Sequence, residues 1–183
     1  MKSTFTVRAS AEGDLAAITA IYTHHVLHGL ASFELEPPDA AEMGRRRADA
    51  LARGLPYLVA EAGGGIAGYA YAAPYRTRPA YRYTLENSIY IDPAAQGRGA
   101  GRVLLEALSE ACARAGYRQL IAVIGDSANT ASIRLHAACG FSYAGLLPGV
   151  GFKFGRWVDS VLMQRELGDG ERSLPGALSP PAK

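Results

Sequence analysis

The chain has 183 residues, with 19 Lys and Arg against 17 Asp and Glu and a formal charge of +2. That near balance gives no bulk-charge reason to expect nucleic acid or an anionic membrane as a partner, and a hydrophobic content of 49% excludes a disordered chain. Residues 1–10 lack the apolar stretch of a secretory signal and no apolar run nears the ~18 residues that span a bilayer, so the expected location is the cytoplasm.

The length suits one domain with a substantial core, expected over residues 1–167. Residues 4–9 alternate and predict a first strand, after which Ser10 is placed to cap a helix carrying Leu15, Ile18, Ile21 and Tyr22 and stopped by Gly29. Residues 39–53 predict a second helix, ended by Gly54. Strands at Tyr57–Ala62 and 66–73 flank Gly63-Gly64-Gly65, a hairpin signal, and Thr84–Ile91 is the next strand. Residues 101–115 predict an amphipathic helix, with Leu104, Leu108, Ala111 and Cys112 on one side and Arg102, Glu106, Glu110 and Arg114 on the other. A buried strand at 119–124, a helix at 127–139 and strands at 141–146 and 158–166 complete the order. Residues 168–183 are polar and proline-bearing and read as a disordered tail. Strand, helix, strand from 84 to 124 implies one parallel βαβ unit, while the earlier hairpin implies antiparallel pairing. The expected class is therefore α/β, or mixed α+β, with a mixed and mostly antiparallel sheet. Cys112 and Cys139 fall in apolar helical stripes and read as core side chains.

Between the strand at Thr84–Ile91 and the following helix lies Gln96-Gly97-Arg98-Gly99-Ala100-Gly101. Strand, glycine loop and helix start form an anion-binding arrangement, because small residues admit the ligand to the unpaired N–H groups at the helix tip. A dinucleotide loop needs glycine where Arg102 stands, and no P-loop string occurs. What remains is Q-x-x-G-x-G. The predicted order, this loop, Thr84-Leu85-Glu86-Asn87-Ser88-Ile89-Tyr90-Ile91, Cys139-Gly140-Phe141 and Gly151-Phe152-Lys153-Phe154-Gly155-Arg156-Trp157-Val158-Asp159 together resemble the GNAT acyltransferases over nearly the whole chain. Within them the strings resemble the bacterial phosphinothricin/methionine sulfoximine N-acetyltransferases.

That resemblance implies transfer of the acetyl group of acetyl-CoA to the α-amine of an L-amino acid or analogue, in a homodimer. It implies Glu86 as general base and His136 as a second catalytic or substrate-orienting group. Main-chain atoms of Ile89, Tyr90 and Ile91 would meet the cofactor, as would Asn129. The diphosphate would rest on Gln96, Gly97, Arg98, Gly99, Ala100, Gly101 and Arg102. Strand alternation independently puts Glu86, Ser88 and Tyr90 on one face. A base is needed because an α-amine is mostly protonated at neutral pH. Arg76, Arg78 and Arg82 interleave with Tyr75, Tyr81 and Tyr83, a run that in isolation reads as a solvated loop. The resemblance makes Arg76, Thr77, Arg78 and Tyr81, with Phe33, Asn87 and Ser88, the acceptor-binding candidates, arginine being suited to a carboxylate. The group that protonates the leaving thiolate stays open among Tyr90, His136 and solvent. His24, His25 and His28 lack a third-ligand pattern, and no metal is expected. Phe152 to Trp157 is too aromatic for an exposed loop and is expected at the acceptor pocket or a dimer interface. A protein N-terminal acetyltransferase and a non-catalytic acyl-CoA sensor are the competing readings.

Overall fold

The computed structural model describes residues 5–178; Thr4, expected in the first strand, and residues 179–183 of the expected tail lie outside the described residues. Seven strands form one sheet in the order β1-β2-β3-β4-β5-β7-β6: β1 Thr6–Ala9, β2 Tyr57–Ala62, β3 Gly65–Pro74, β4 Thr84–Ile91, β5 Gln119–Gly125, β6 Ser142–Lys153 and β7 Arg156–Glu166. Every neighbouring pair is antiparallel except β4 and β5, which run parallel as the βαβ reading required. The helices are α1 Leu15–His28, α2 Ala40–Ala52, α3 Ala100–Arg114 and α4 Thr130–Ala138. Among the described residues no helix is long and apolar enough to cross a membrane.

The helices cover both faces. The Tyr22 ring of α1 meets Tyr90 of β4 edge-on at 4.9 Å. His136 of α4 bonds Asn87 of the same strand. Residues 87 and 90 project from opposite faces of a strand, so α1 and α4 lie on opposite sides of the sheet. Ile18, Ile21, Tyr22 and Val26 recur at helical spacing and are buried on one side; Leu104, Leu105, Leu108 and Cys112 of α3 are fully buried on the other. Cys112 and Cys139 are buried, and burial pushes the Cys112 thiol up to about 12.

Three local expectations need correction. Ser10 does not cap α1: its Oγ accepts from Arg47. Asp14, held by Arg8 through two bonds of 2.7 and 2.8 Å, accepts from the Ala11 amide instead, and a 3-10 turn at Glu12–Asp14 leads into the helix. The helix expected at 127 starts at Thr130, because Asp126 adopts a left-handed φ of 70° and Asn129 supplies the cap, accepting from Ser132 N. The segment between the last two expected strands is not a loop. β6 and β7 continue through it to a tight turn at Phe154 and Gly155, both with positive φ (51° and 74°), as two-residue hairpins require.

Candidate active site

β4 and β5 pair only from Thr84 with Gln119 to Asn87 with Ala122. Beyond that point β4 stays with β3 as far as Ile91, and β5 stays with β7 as far as Gly125. The strands thus part, and the fork opens a cavity of about 390 Å³. A second cavity of about 480 Å³ runs on to the tip of α3. Ala31, Ile89, Asn129 and Ser132 line both, so the two are one cleft.

The main chain of β4 supplies the floor. Tyr83 C=O accepts from Arg118 and Gln119 on the β5 side, whereas Asp92 N–H donates to Ala67 C=O on the β3 side. Successive residues alternate, so the main-chain groups of Ile89 and Ile91 face the cleft and those of Tyr90 turn toward β3. His25 Nε2–H donates to Ile91 C=O at 2.9 Å and fixes that edge. Tyr90 contributes its ring to a tyrosine face with Tyr22, Tyr57, Tyr69 and Tyr71. Burial holds its hydroxyl well above the ordinary tyrosine range.

At the α3 end, Gly97 and Gly99 adopt φ of 69° and 99°. The first helical bond in this tip is Val103 N–H to Gly99 C=O, at 3.3 Å. The amides of Ala100, Gly101 and Arg102 therefore precede the helical ladder. Gln96, Gly97, Gly99, Ala100, Gly101 and Arg102 all line the second cavity, and Arg102 also pairs with Glu106 at 2.8 Å. Arg98 does not join them; it lines a neighbouring recess with Asp92 and reaches toward Ala94 C=O.

At the other end lie Glu86, Asn87, Ser88, Phe33, Asn129 and His136. Glu86 is half-buried, and desolvation raises its pKa above the usual carboxylate value while the charge of Arg76 opposes the rise. His136 is 2% exposed. Ser132 C=O can only accept, so Nδ1 carries the proton across their 2.8 Å bond. Nε2 is then the acceptor for Asn87 Nδ2 at 3.0 Å, and burial lowers the pKa of the ring. Both ring nitrogens are engaged within the protein. Arg76, Thr77, Arg78 and Tyr81 sit on the exposed β3–β4 connection and line neither cavity.

Several residues escaped the sequence reading. Glu34 and Ser32 line the fork, and Lys153, buried in β6, donates from Nζ to Ser32 C=O at 2.7 Å. Lys153 stood in the quoted glycine–aromatic string, but nothing local joins it to position 32. His25, set aside as a metal ligand in the sequence, anchors β4; His24 and His28 pack ring to ring at 4.9 Å. Among the described residues no three His, Cys, Asp or Glu side chains converge on a metal site.

A half-buried carboxylate, a bare strand edge and a helix tip, set in order along one cleft, can deprotonate an amine, pair with an amide-bearing chain and hold an anion. Comparison with known proteins agrees. Residues 12–141 match the profile of the "Acetyltransferase (GNAT) family". The chain is 61% identical over 170 residues to the phosphinothricin N-acetyltransferase of Alcaligenes faecalis, covering 93% of this chain and 86% of that one. It is 42% identical to the L-methionine sulfoximine/L-methionine sulfone acetyltransferase of Salmonella typhimurium, covering 94% and 99%. A GNAT superfamily phosphinothricin acetyltransferase from Sinorhizobium meliloti, solved in complex with AcCoA, superposes with a TM-score of 0.91 at 45% identity, over 96% of this chain and 94% of that one. Since the likeness runs through the fork, the helix tip and the terminal hairpin alike, the chain belongs to the acetyltransferase (GNAT) family.

Proposed function

We infer that the protein is a cytoplasmic N-acetyltransferase that moves the acetyl group of acetyl-CoA to the α-amine of an L-amino acid or analogue, with phosphinothricin, methionine sulfoximine and methionine sulfone as the acceptors its relatives' names point to. The observation that carries this reading is the fork: a half-buried Glu86 at one end of a cleft whose other end is the α3 tip. The amides of Ala100, Gly101 and Arg102 hold the diphosphate. The cleft-facing groups of Ile89 and Ile91 pair with the pantetheine arm. Acetyl-CoA brings the acyl group as an activated thioester. Glu86 accepts a proton from the acceptor's ammonium, and desolvation, which raises its pKa, makes it a stronger base than a free carboxylate. The freed amine attacks the thioester carbonyl, and Ile89 N–H donates to the oxygen as charge gathers there. Collapse of the adduct breaks the C–S bond and expels the CoA thiolate, and the nitrogen gives up its remaining extra proton as the thiolate takes one up, leaving the amide and free CoA thiol. His136 holds Asn87 where the strands separate. Arg76, the cation whose charge reaches Glu86, is the first candidate to hold the acceptor's carboxylate.

The test is thiol release from acetyl-CoA with those three compounds, a panel of free amino acids and a set of peptides, for wild type and Glu86→Gln. Turnover with free amino acids, lowered ~10²–10⁴-fold in the variant with acetyl-CoA binding kept, is the expected result. Turnover with peptides alone would indicate a protein N-terminal acetyltransferase, and binding without turnover a sensor; either would overturn the reading.

The working unit is a homodimer in this reading. β6 is an edge of the sheet, and its hairpin with β7 exposes Tyr143, Val150, Phe152, Phe154 and Trp157, all more than half exposed. An apolar edge strand of this length is normally covered. Light scattering after size exclusion should give twice the chain mass, reduced to one by Trp157→Glu.

A further inference from the structure

Gly125, at the end of β5, and Gly151, in β6, both lie outside the left-handed region, so backbone conformation does not require glycine at either position. Space does. A Cβ on Gly151 would fall 2.7 Å from Cδ2 and 2.8 Å from Cζ of Phe33. A Cβ on Gly125 would fall 3.0 Å from Phe33 Cε1 and would collide with Leu30 C=O. The Phe33 ring therefore rests on two bare strand positions. Phe33 and Gly125 line the fork cavity but Gly151 does not, so Gly151 stands behind the ring as seen from the cavity.

The segment that carries the ring is tied down. Lys153 shares a strand face with Gly151, two residues away, and donates to Ser32 C=O at 2.7 Å. Tyr22 Oη and Ser32 Oγ are hydrogen-bonded at 2.9 Å. With Ser32 held through both its carbonyl and its side-chain hydroxyl, volume added behind the ring drives the ring into the cavity rather than lifting the segment away.

We propose that Gly151, together with Gly125, is a specificity-determining position: by seating Phe33 it sets the depth of the acceptor end of the cleft and so the length of acceptor side chain admitted. This rests on the reading of that cavity as the amino-acid site. Gly151→Ala is expected to raise the acceptor KM about tenfold, the discrimination one methylene brings in an apolar pocket, with the Kd of acetyl-CoA unchanged. In a Phe33→Ala background the same substitution should leave KM unchanged, because the ring it displaces is gone. An equal rise in both backgrounds, or no rise in either, overturns the proposal. A crystal structure of Gly151→Ala should show the ring moved toward Glu86; an unmoved ring overturns it whether or not the protein acetylates amino acids. A wild type that transfers acetyl to no amino acid would sink the functional reading alone. If Gly151→Ala does not fold, Phe33→Leu serves: it should improve kcat/KM for longer over shorter side chains about tenfold, and an unchanged ratio counts against the seat.

Discussion

Gly99 caps α3 at φ 99° and ψ −3°. A Cβ there would meet nothing within 4 Å, so Gly99→Ala introduces no clash and its whole penalty is conformational. A left-handed backbone costs a non-glycine residue roughly 1–2 kcal/mol. That energy has two places to appear. If the loop keeps its shape in the free protein, stability falls by the full amount, about 2–8 °C in Tm for a chain of this size, and acetyl-CoA binds as before. If the free loop relaxes to negative φ, the melting temperature recovers and the penalty returns on binding, as a Kd roughly five- to thirtyfold weaker. The two losses together should amount to about 1–2 kcal/mol however they divide. Thermal or urea denaturation measures the first and isothermal titration with acetyl-CoA the second. Gly63→Ala is the control: its φ of 60° in the β2–β3 turn is also left-handed and its Cβ would be unobstructed, but it lies away from the cleft. It should lose stability and keep its affinity. A Gly99→Ala protein unchanged in both measurements would refute the claim that this glycine holds the helix tip in a binding shape.

Other substitutions probe other links. Arg76→Ala removes the cation that opposes the rise in the Glu86 pKa, so the acid limb of kcat/KM should move to higher pH, and an unmoved limb would separate the two groups. Arg76→Ala or Arg78→Ala should raise the acceptor's KM more than that of acetyl-CoA; equal effects would contradict a carboxylate clamp. His136→Gln, which leaves the Asn87 amide without the imidazole acceptor, should lower stability by about 1–3 kcal/mol while the shape of the pH profile stays; loss of a limb would show that the ring carries a proton. Leu108, fully buried in α3, should cost about 2–5 kcal/mol in urea denaturation when cut to alanine.

The parts legible in sequence are those with local causes. Tyr57–Ala62, closed by the glycine turn that follows it, and Thr84–Ile91, closed by Asp92-Pro93, fall as expected. Gly29 and Gly54 stop α1 and α2 where their patterns end. The glycine loop was readable because phosphate binding demands small residues beside a helix start. The β6–β7 hairpin was not, because Gly145, Pro148, Gly149 and Gly151 break the alternation that marks a strand, and register shifts between Tyr143 and Gly145 and between Leu147 and Gly151 absorb them. Nor was the wall at positions 30–34, of which only Phe33 was expected, and that from the resemblance. Its ties to Gly125, Gly151 and Lys153 span most of the chain, and each partner looks ordinary in its own neighbourhood. The acceptor residues divide the same way. Glu86 and Ser88 follow from strand alternation, whereas the β3–β4 arginines stay outside both cavities.

The parallel seam between β4 and β5 holds only four residue pairs, whereas β3–β4 and β5–β7 hold seven each. The sheet is thus two plates meeting along a narrow hinge line, and whatever enters the wedge touches both. A bound acyl donor becomes the rivet between them. Amide hydrogen exchange at residues 84–87 and 119–122 should therefore slow when the cleft fills, even though those amides face strand partners and not the ligand.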